Sequence, residues 1–332
     1  MPEFFEKDFI LINLAILQRL HGPIPFDIFI ERAPSTYTKI FKKTFYVDFD
    51  RIKKYTEEKK VHNFFVERKD YDDYLKLVAS TSHDFFTKAE GKSVDEIVSV
   101  IKDVADLSLL ELMQKNAVNP ESISYATNAI KGCITTLSKD RTSLVRLLKL
   151  ISGHPYSFRH SITTAVFSLL LAKAAKIEGQ RNLEILGLGA LLHDIGMSMI
   201  SMQIEDKKDL SPEEWKEIKS HPEIGKRILE DIKNVPTEAK LIVLQHHEQP
   251  NGNGYPNNLY SREIFFLAKI VGIADTFCAL ILPRPYRDRV YTVYEAIDVM
   301  VYDRGKFDQK LVDLFATLFV NPKERLDKKK VS

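Results

Sequence analysis

The sequence has few cysteines, almost no net charge and no long uncharged apolar run, and each shortage excludes a class of protein. Its 332 residues include 48 basic and 46 acidic side chains, for a formal net charge of +2. So balanced a chain has no broad electrostatic attraction to a nucleic-acid polymer or a membrane surface. No apolar run reaches the length of a membrane span. We therefore expect neither partner, and expect any anionic ligand to be small and bound by a local cluster of bases.

Two features favour a cytoplasmic location. Cys133 and Cys278 are the only cysteines and form no CxxC motif, which is typical of proteins in a reducing compartment. The first residues, "MPEFFEKDF", carry acids where a signal peptide carries bases. We therefore predict a cytoplasmic protein.

The first eighty residues differ from the rest of the chain. The stretches 26–31 and 64–68 are short, aromatic and β-branched, which predicts strands. Between them, the charged stretch 48–60 predicts a surface helix capped by Asp48 or Asp50. Together these patterns predict a small α+β module.

Almost everything after residue 80 is predicted to be helical. A capping box at Ser211–Glu214 marks one helix start, and another lies at Ser93–Glu96. The segments 161–176 and 182–196 are too apolar for surface helices and are expected at the centre of the fold. The predicted fold class is therefore mainly α. The predicted division is an α+β sensory or regulatory domain over 1–80, a helical linker region over 81–140 and an all-helical domain over 141–332.

Histidines are concentrated where the buried helices are expected to begin or end. Five of the nine fall between residues 160 and 247, and Asp275 lies in a stretch apolar enough to be buried. A buried carboxylate without a partner costs roughly several kcal/mol, so Asp275 needs a cation or strong donors. Imidazoles and carboxylates from separate helices are a ligand set for iron, manganese or zinc. The candidate ligands are His160, His193, Asp194, His221, His246, His247 and Asp275.

The number of candidate ligands favours two metal ions over one. A carboxylate has two oxygens, so Asp194 can bridge two ions while His193 binds one. The alternative is an ordinary structural role for each residue, as a hydrogen-bonded core or helix-end side chain. That alternative must explain seven residues separately, and we keep it only for the histidines outside this set.

The same motifs occur in a recognisable order. His160 precedes "LLHDIG", and this is followed by "LSPEEWKEIKSHPEIGKRIL", "HHEQPNGNGYPNNL" and "IADTFCALILPRPYR". Over about residues 140 to 320 the chain resembles the HD-GYP family of bacterial cyclic di-GMP phosphodiesterases, a branch of the metal-dependent HD superfamily. The resemblance implies an all-helical HD-type domain around a buried metal centre. It also implies a variable sensory or regulatory module before that domain.

The resemblance implies a role for each candidate residue. The seven candidate ligands match the family's metal ligands, and His193 and Asp194 are the expected catalytic pair. Tyr255, Arg284 and Arg287 match positions that contact the substrate's phosphates. The implied cofactor is two transition-metal ions, iron first and manganese or zinc as alternatives. A hydroxide bridging them would attack phosphorus and convert cyclic di-GMP to linear pGpG or GMP.

Three positions depart from the family pattern. Met197 stands where a lysine follows HDIG, and Cys278 stands where an aspartate is usual. Tyr156 occupies the position of a glutamate that binds a third metal in some members, which predicts a binuclear site here. Met197 and Cys278 favour an alternative function, a weakly active or non-catalytic cyclic di-GMP receptor. Its GYP segment would bind partner proteins such as GGDEF diguanylate cyclases. Retention of all seven ligands favours the enzyme.

Overall fold

The structure, a computed structural model, combines a small N-terminal sheet with a helical remainder. It describes residues 8–14, 17, 22–61, 63–89, 91–114, 120–139, 148, 156–200, 209–283 and 289–319. The predicted fold class, mainly α with an α+β N-terminal part, is confirmed.

The N-terminal sheet has four antiparallel strands in the order β1-β4-β2-β3. The strands are β1 (Phe9–Ile12), β2 (Ile28–Ala33), β3 (Thr36–Phe41) and β4 (Phe64–Glu67). The two strands predicted from the sequence correspond to β2 and β4. Three consecutive side chains are buried in each of two strands, Ile28 to Ile30 in β2 and Phe64 to Val66 in β4, so both faces of the sheet are covered at these positions. The predicted surface helix is α1 (Phe49–Lys53), and the Asp48 side chain accepts the N–H of Arg51 as its cap.

Helix α2 (Tyr71–Thr87) joins this sheet to the helical part of the chain. On the sheet side, the hydroxyl of Tyr74 donates to the carbonyl of Asn13 at 3.1 Å. On the other side, the side-chain amide of Asn128 donates to Oγ of Ser82 at 2.9 Å. The helix therefore continues across residue 80, where the sequence predicted the first domain to end. The domain boundaries at 80 and 140 stay predictions.

The polar run from Ser80 to Ser82, at the predicted domain boundary, is helical for a local reason. The hydroxyls of Ser80 and Thr81 both donate to the carbonyl of Leu77, at 3.0 and 2.7 Å. Ser82 donates in the same way to the carbonyl of Ala79 at 3.0 Å. Hydroxyl groups that bond back to the preceding turn can stay inside a helix without ending it.

Helices make up most of the remaining described chain. They are α3 (Val94–Gln114), α4 (Pro120–Lys139), α5 (Tyr156–Ala174), α6 (Gln180–Leu192), α7 (Pro212–Ile218), α8 (His221–Glu230), α9 (Thr237–Gln245), α10 (Phe266–Ile281), α11 (Val293–Tyr302) and α12 (Gln309–Ala316). The capping boxes predicted at Ser93 and Ser211 are both present. None of the described helices combines the length and the hydropathy that a membrane crossing requires.

Two glycines let α6 pack closely between its neighbours. A Cβ at Gly187 would overlap Cγ2 of Ile130 in α4, and one at Gly189 would lie 2.7 Å from Cδ1 of Ile242 in α9. Glycine at both positions therefore permits an approach that any side chain would prevent. Since α6 ends at Leu192, this packing fixes where the following His193 and Asp194 are delivered.

Candidate metal centre

The structure brings all seven predicted ligands together at one place in the helical part of the chain. Four of the imidazoles are at most 2% exposed. The seven predicted ligands come from different elements: His160 from the first turns of α5, His193 and Asp194 from the end of α6, His221 from the start of α8, His246 and His247 from the end of α9, and Asp275 from within α10. Residues separated by more than a hundred positions therefore share one buried cluster.

The carboxylate of Asp194 lies between two groups of histidines. Its Oδ2 is 3.2 Å from Nε2 of His193 and 3.5 Å from Nε2 of His160. Its Oδ1 is 3.3 Å from Nε2 of His221 and 3.9 Å from Nε2 of His246. Each oxygen thus faces its own pair of imidazoles, which is the arrangement that a bridging carboxylate needs.

Asp275, in helix α10, contacts both groups of histidines. Its Oδ1 is 3.0 Å from Nε2 of His160 and 3.7 Å from Nε2 of His193, and its Oδ2 is 3.8 Å from Nδ1 of His247. The partners that a buried carboxylate at this position requires are therefore histidines.

Three of the imidazoles are oriented by backbone carbonyls at helix ends. Nδ1 of each donates to the carbonyl three residues earlier: His193 to Ala190 at 2.7 Å, His221 to Ile218 at 2.8 Å, and His246 to Val243 at 2.8 Å. A carbonyl oxygen can only accept, so the proton is on Nδ1 and the Nε2 lone pair is available to a metal. The local fold of each helix end thereby sets both the orientation and the tautomer.

His160 is held differently, because it lies inside α5. The hydroxyl of Tyr156 lies 3.3 Å from its Nδ1, and the two rings stack with centroids 5.4 Å apart. Tyr156 is therefore a neighbour of a candidate ligand, at the position where some family members carry a carboxylate.

Close contacts between ring nitrogens indicate that cations fit this cluster. Nε2 of His221 lies 3.2 Å from Nε2 of His246, although both rings already carry their proton on Nδ1. Two lone pairs facing each other at that distance repel unless a cation lies near both. The donors divide into two groups that share Asp194, each with its ligand atoms within 4.8 Å of one another: His160, His193 and Asp194, and Asp194, His221, His246 and His247. Imidazole and carboxylate donors of this kind suit iron, manganese and zinc.

The electrostatics of the cluster also favour bound positive charge. Burial alone would raise the pKa of Asp194, but His193, His221 and His160 outweigh it and hold that pKa well below 3.8. Burial likewise opposes a proton on His193, yet Asp194 and Asp275 raise its pKa well above 6.5. The carboxylates are therefore ionised at neutral pH, and the point between them attracts a positive charge, proton or metal ion.

His246 and His247 are kept neutral, as metal ligands must be. Burial and the neighbouring His247 and His193 hold the pKa of His246 well below 6.5. Burial lowers the pKa of His247 to about 4, with Asp275 opposing the shift. Neutral imidazoles beside ionised carboxylates are the protonation states that bind a divalent cation.

A glycine-rich loop after the paired histidines is held over the cluster by Glu248. This buried carboxylate accepts the backbone N–H groups of Asn257 at 2.6 Å and Leu259 at 2.9 Å. Gly254 permits the tight return of the chain, because a Cβ there would lie 2.5 Å from Cα of Glu248. Glu248 was not among the residues predicted from the sequence. The signal that could have identified it is its position, directly after His246 and His247 and directly before the glycine-rich loop.

The loop places Tyr255 against the cluster. Its ring stacks on His247 with centroids 4.6 Å apart and planes inclined at 28°. Burial, with the charges of Asp275 and Asp194, raises the pKa of the phenol far above 10, so it remains a hydrogen-bond donor at neutral pH. The other two predicted substrate contacts, Arg284 and Arg287, lie outside the described residues.

The departures from the family pattern lie beside the cluster. Met197 is half-buried in the short 3-10 helix Ile195–Met199 that follows Asp194. Cys278 is fully buried in α10, one turn after Asp275. Burial raises the pKa of the Cys278 thiol, which is therefore uncharged at neutral pH.

Comparison with known proteins identifies the family of the chain. The model of the HD domain family matches residues 146–311. The chain belongs to the HD domain family. The matched range contains all seven candidate ligands. The resemblance to the HD-GYP branch is confirmed.

Similar proteins extend the likeness over different parts of the chain. The chain is 30% identical over 193 residues to a cyclic di-GMP phosphodiesterase of Pseudomonas aeruginosa, covering 58% of this chain and 46% of that protein. It is 36% identical over 134 residues to a 3'3'-cGAMP-specific phosphodiesterase of Vibrio cholerae, covering 40% and 29%. The chain thus spans less than half the length of either curated relative. An HDG"Y"P protein from Bdellovibrio bacteriovorus has the same fold over 94% of this chain and 99% of its own, with a TM-score of 0.64 and 20% identity.

Proposed function

We propose that this chain is a metal-dependent phosphodiesterase that hydrolyses cyclic di-GMP to pGpG or GMP. The observation that carries the proposal is Asp194, whose two oxygens face separate histidine pairs. A centre for two cations next to a loop bearing a neutral phenol suits a phosphodiester better than an uncharged substrate. The names of the similar proteins from Pseudomonas aeruginosa and Vibrio cholerae support a cyclic dinucleotide.

The proposed cofactor is a pair of transition-metal ions, with iron first and manganese or zinc as alternatives. One ion would be held by His160, His193, Asp194 and Asp275, and the other by Asp194, His221, His246 and His247. When bound, such ions neutralise phosphate charge and supply an activated water as the nucleophile. Tyr156 supports two ions rather than three, since its hydroxyl lies against His160 and a phenol cannot replace a bridging carboxylate.

The protein's own groups would position the substrate. Tyr255 is placed to donate a hydrogen bond to a phosphate oxygen, because its raised pKa keeps the proton on the phenol. Arg284 and Arg287 are proposed as further phosphate contacts from the sequence motif alone. His193 and Asp194 are proposed as the catalytic pair. Their role would be to hold positive charge between the carboxylates of Asp194 and Asp275.

Turnover of cyclic di-GMP by protein loaded anaerobically with iron or manganese tests the proposal. We expect linear pGpG or GMP by chromatography, and no product from Asp194→Asn. Asp298→Asn, a control at an acidic residue of α11 outside the cluster, should behave as the wild type. Running 3'3'-cGAMP in parallel decides which cyclic dinucleotide is preferred. Full metal content without turnover of either would contradict the enzyme and favour the receptor, for which binding of unhydrolysed cyclic di-GMP is the next measurement.

A further inference from the structure

Lys219 places an ammonium group beside the loop that covers the metal centre. Its Nζ lies 5.7 Å from the ring centroid of Tyr255, above the ring. That ring stacks in turn on His247, so the three side chains form a row from the surface to the cluster. Lys219 is exposed, and within the described residues it forms no ion pair with a carboxylate. The ammonium group is therefore available to an anion that enters past Tyr255.

The segment that carries Lys219 meets the segment that carries Met197 at His221. A Cβ on Gly196 would overlap the carbonyl oxygen of His221, so the turn from Ile195 to Met199 packs directly against the start of α8. Lys219 precedes His221 by two residues, as the C-cap of α7. The two positions thus approach one candidate ligand from different stretches of chain, and only one of them carries a cation.

Beside the proposed metal ions, a phosphodiester that enters past Tyr255 would gain from a cationic side chain at the entrance. Asp194 and Asp275 carry carboxyl groups and Tyr255 carries a phenol, so none of these three side chains is a base. An exposed ammonium–ring contact is weak compared with a charge-assisted hydrogen bond to phosphate. The flexible lysine stem would let the ammonium exchange the ring for a phosphate oxygen without moving the backbone.

We propose that Lys219 binds a phosphate group of the substrate beside Tyr255, at a place distinct from position 197. This inference rests on the proposed function in one respect, that the substrate is a phosphodiester. Lys219 would be a substrate-binding residue that acts from the α7–α8 junction, beside the GYP loop.

Replacing Lys219 and a matched lysine on the same helix tests the inference. Lys219→Met should raise KM for cyclic di-GMP about tenfold and change kcat little, because the contact would be made equally in the bound substrate and the transition state. Lys219→Arg should keep most of the affinity. Lys216→Met removes the same charge three residues earlier in α7 and should leave KM within about twofold of the wild type. Metal content should be unchanged in all three variants.

A binding measurement gives a readout independent of turnover. Equilibrium binding of cyclic di-GMP to chelator-treated protein should weaken in Lys219→Met, and its salt dependence should become shallower, since one fewer phosphate contact is screened. Equal affinity and equal salt dependence in Lys219→Met and Lys216→Met would overturn the inference. So would a loss of metal in Lys219→Met, because that outcome would assign the lysine a structural role.

A second probe separates failure of this inference from failure of the proposed function. Bis(p-nitrophenyl) phosphate is a phosphodiester without a nucleoside. If the wild type cleaves this compound but neither binds nor cleaves cyclic di-GMP, the proposed substrate is wrong. The KM for bis(p-nitrophenyl) phosphate in Lys219→Met, divided by its KM in Lys216→Met, still decides the role of Lys219. A ratio near ten supports phosphate binding, and a ratio near one overturns it.

Discussion

The carboxylate of Glu248 accepts the backbone N–H of Leu259 at 2.9 Å across eleven residues of sequence. Its other oxygen accepts the N–H of Asn257. One buried side chain at the start of the loop that carries Tyr255 therefore binds the backbone at the end of that loop. Because Glu248 directly follows His247, the loop is anchored to the candidate metal centre itself.

Replacing Glu248 should therefore impair substrate binding and spare the metals. Glu248→Gln leaves one backbone N–H facing an amide group, and a lost hydrogen bond to a buried charge costs about 1.5–3 kcal/mol. We expect KM to rise about tenfold while elemental analysis finds full metal content. Glu263→Gln is a matched control, since that carboxylate caps the N–H of Tyr260 in an exposed part of the same loop. Equal KM values for the two variants would mean that Glu248 does not position Tyr255.

Metal content should report the shared role of Asp194. Protein purified without chelator should hold about two transition-metal ions per chain. Asp194→Ala should lose both, because its two oxygens face both histidine groups, whereas His160→Ala should keep the ion on the His221 side. Equal losses in the two variants would argue against a bridge. Three tightly bound ions in the wild type would contradict the argument from Tyr156.

Met197→Lys should raise phosphodiesterase activity. A positioned cation near the developing charge of the transition state is typically worth about 10²-fold in rate. Met197 is half-buried, so a lysine there can keep its amine hydrated while it reaches the centre. The rate constant kcat, measured at several pH values with metal content checked, tests this. An unchanged rate with full metal would show that position 197 does not limit turnover.

Cys278→Asp is expected to behave differently, because Cys278 is fully buried beside Asp275. A second buried carboxylate there lacks a described cation of its own, so the substitution should destabilise the protein by several kcal/mol, to order of magnitude. Thermal unfolding of Cys278→Asp and of Cys278→Ser distinguishes this charge effect from simple loss of packing. A variant as stable as the wild type would mean that the cluster can accommodate a third ionised acid.

Stability of the metal-free protein should fall as the pH falls from about 6.5 to 4. His247 has a pKa of about 4 in the folded chain, below its ordinary value of 6.5. In this window the unfolded chain takes up a proton that the folded chain does not, which favours unfolding by on the order of 1–2 kcal/mol at pH 5. Above pH 6.5 the contribution is constant.

Urea unfolding of chelator-treated protein at pH 7 and pH 5 measures this loss. The control is His247→Gln, which should show a smaller loss between the same two pH values. The comparison isolates His247 from His193, whose raised pKa contributes stability below pH 6.5 that is lost at higher pH. An identical loss in both proteins would exclude His247 as the cause.

The start of α2 is a better truncation point than its end. A chain beginning at Lys92 lacks Ser82 and Ala79, which accept hydrogen bonds from the buried amide of Asn128, and Leu75, which accepts from the buried Tyr125. A chain beginning at Tyr71 keeps all three. We expect the longer chain to be soluble with full metal content and the shorter one to unfold at a lower temperature. Equal melting temperatures would mean that the helical part needs no support from α2.

Much of the site could be predicted from sequence because its chemistry is local in sequence. His193 with Asp194, and His246 with His247, are adjacent pairs, and buried carboxylates such as Asp275 demand partners wherever they occur. The orientation of each imidazole could not be predicted, because it depends on carbonyls at helix ends whose positions follow from the fold. Glu248 was missed for the same reason, since its partners lie across a loop.

The domain division illustrates a different limit. The run Ser80 to Ser82 has the composition of a linker, and composition alone predicts a break there. In the structure the same hydroxyls donate to carbonyls of the preceding turn. Leu75 before the run accepts a hydrogen bond from Tyr125 of α4, and Phe86 after it packs against Gly132 of α4. Whether small polar residues end a helix is decided by its tertiary neighbours, which no short stretch of sequence contains.

The close packing of Ile130 in α4 against Gly187 in α6 connects the preceding part of the chain mechanically to the candidate ligands at the end of α6. Closely packed interiors transmit displacement, and α6 has no free space on the side of α4 into which it could yield. A stimulus that tilts α2 and α4 would carry α6 along as a rigid rod and move His193 and Asp194 at its end. Regulation of this kind would work by changing the spacing between the two halves of the ligand set, with the charge of every group left as it was.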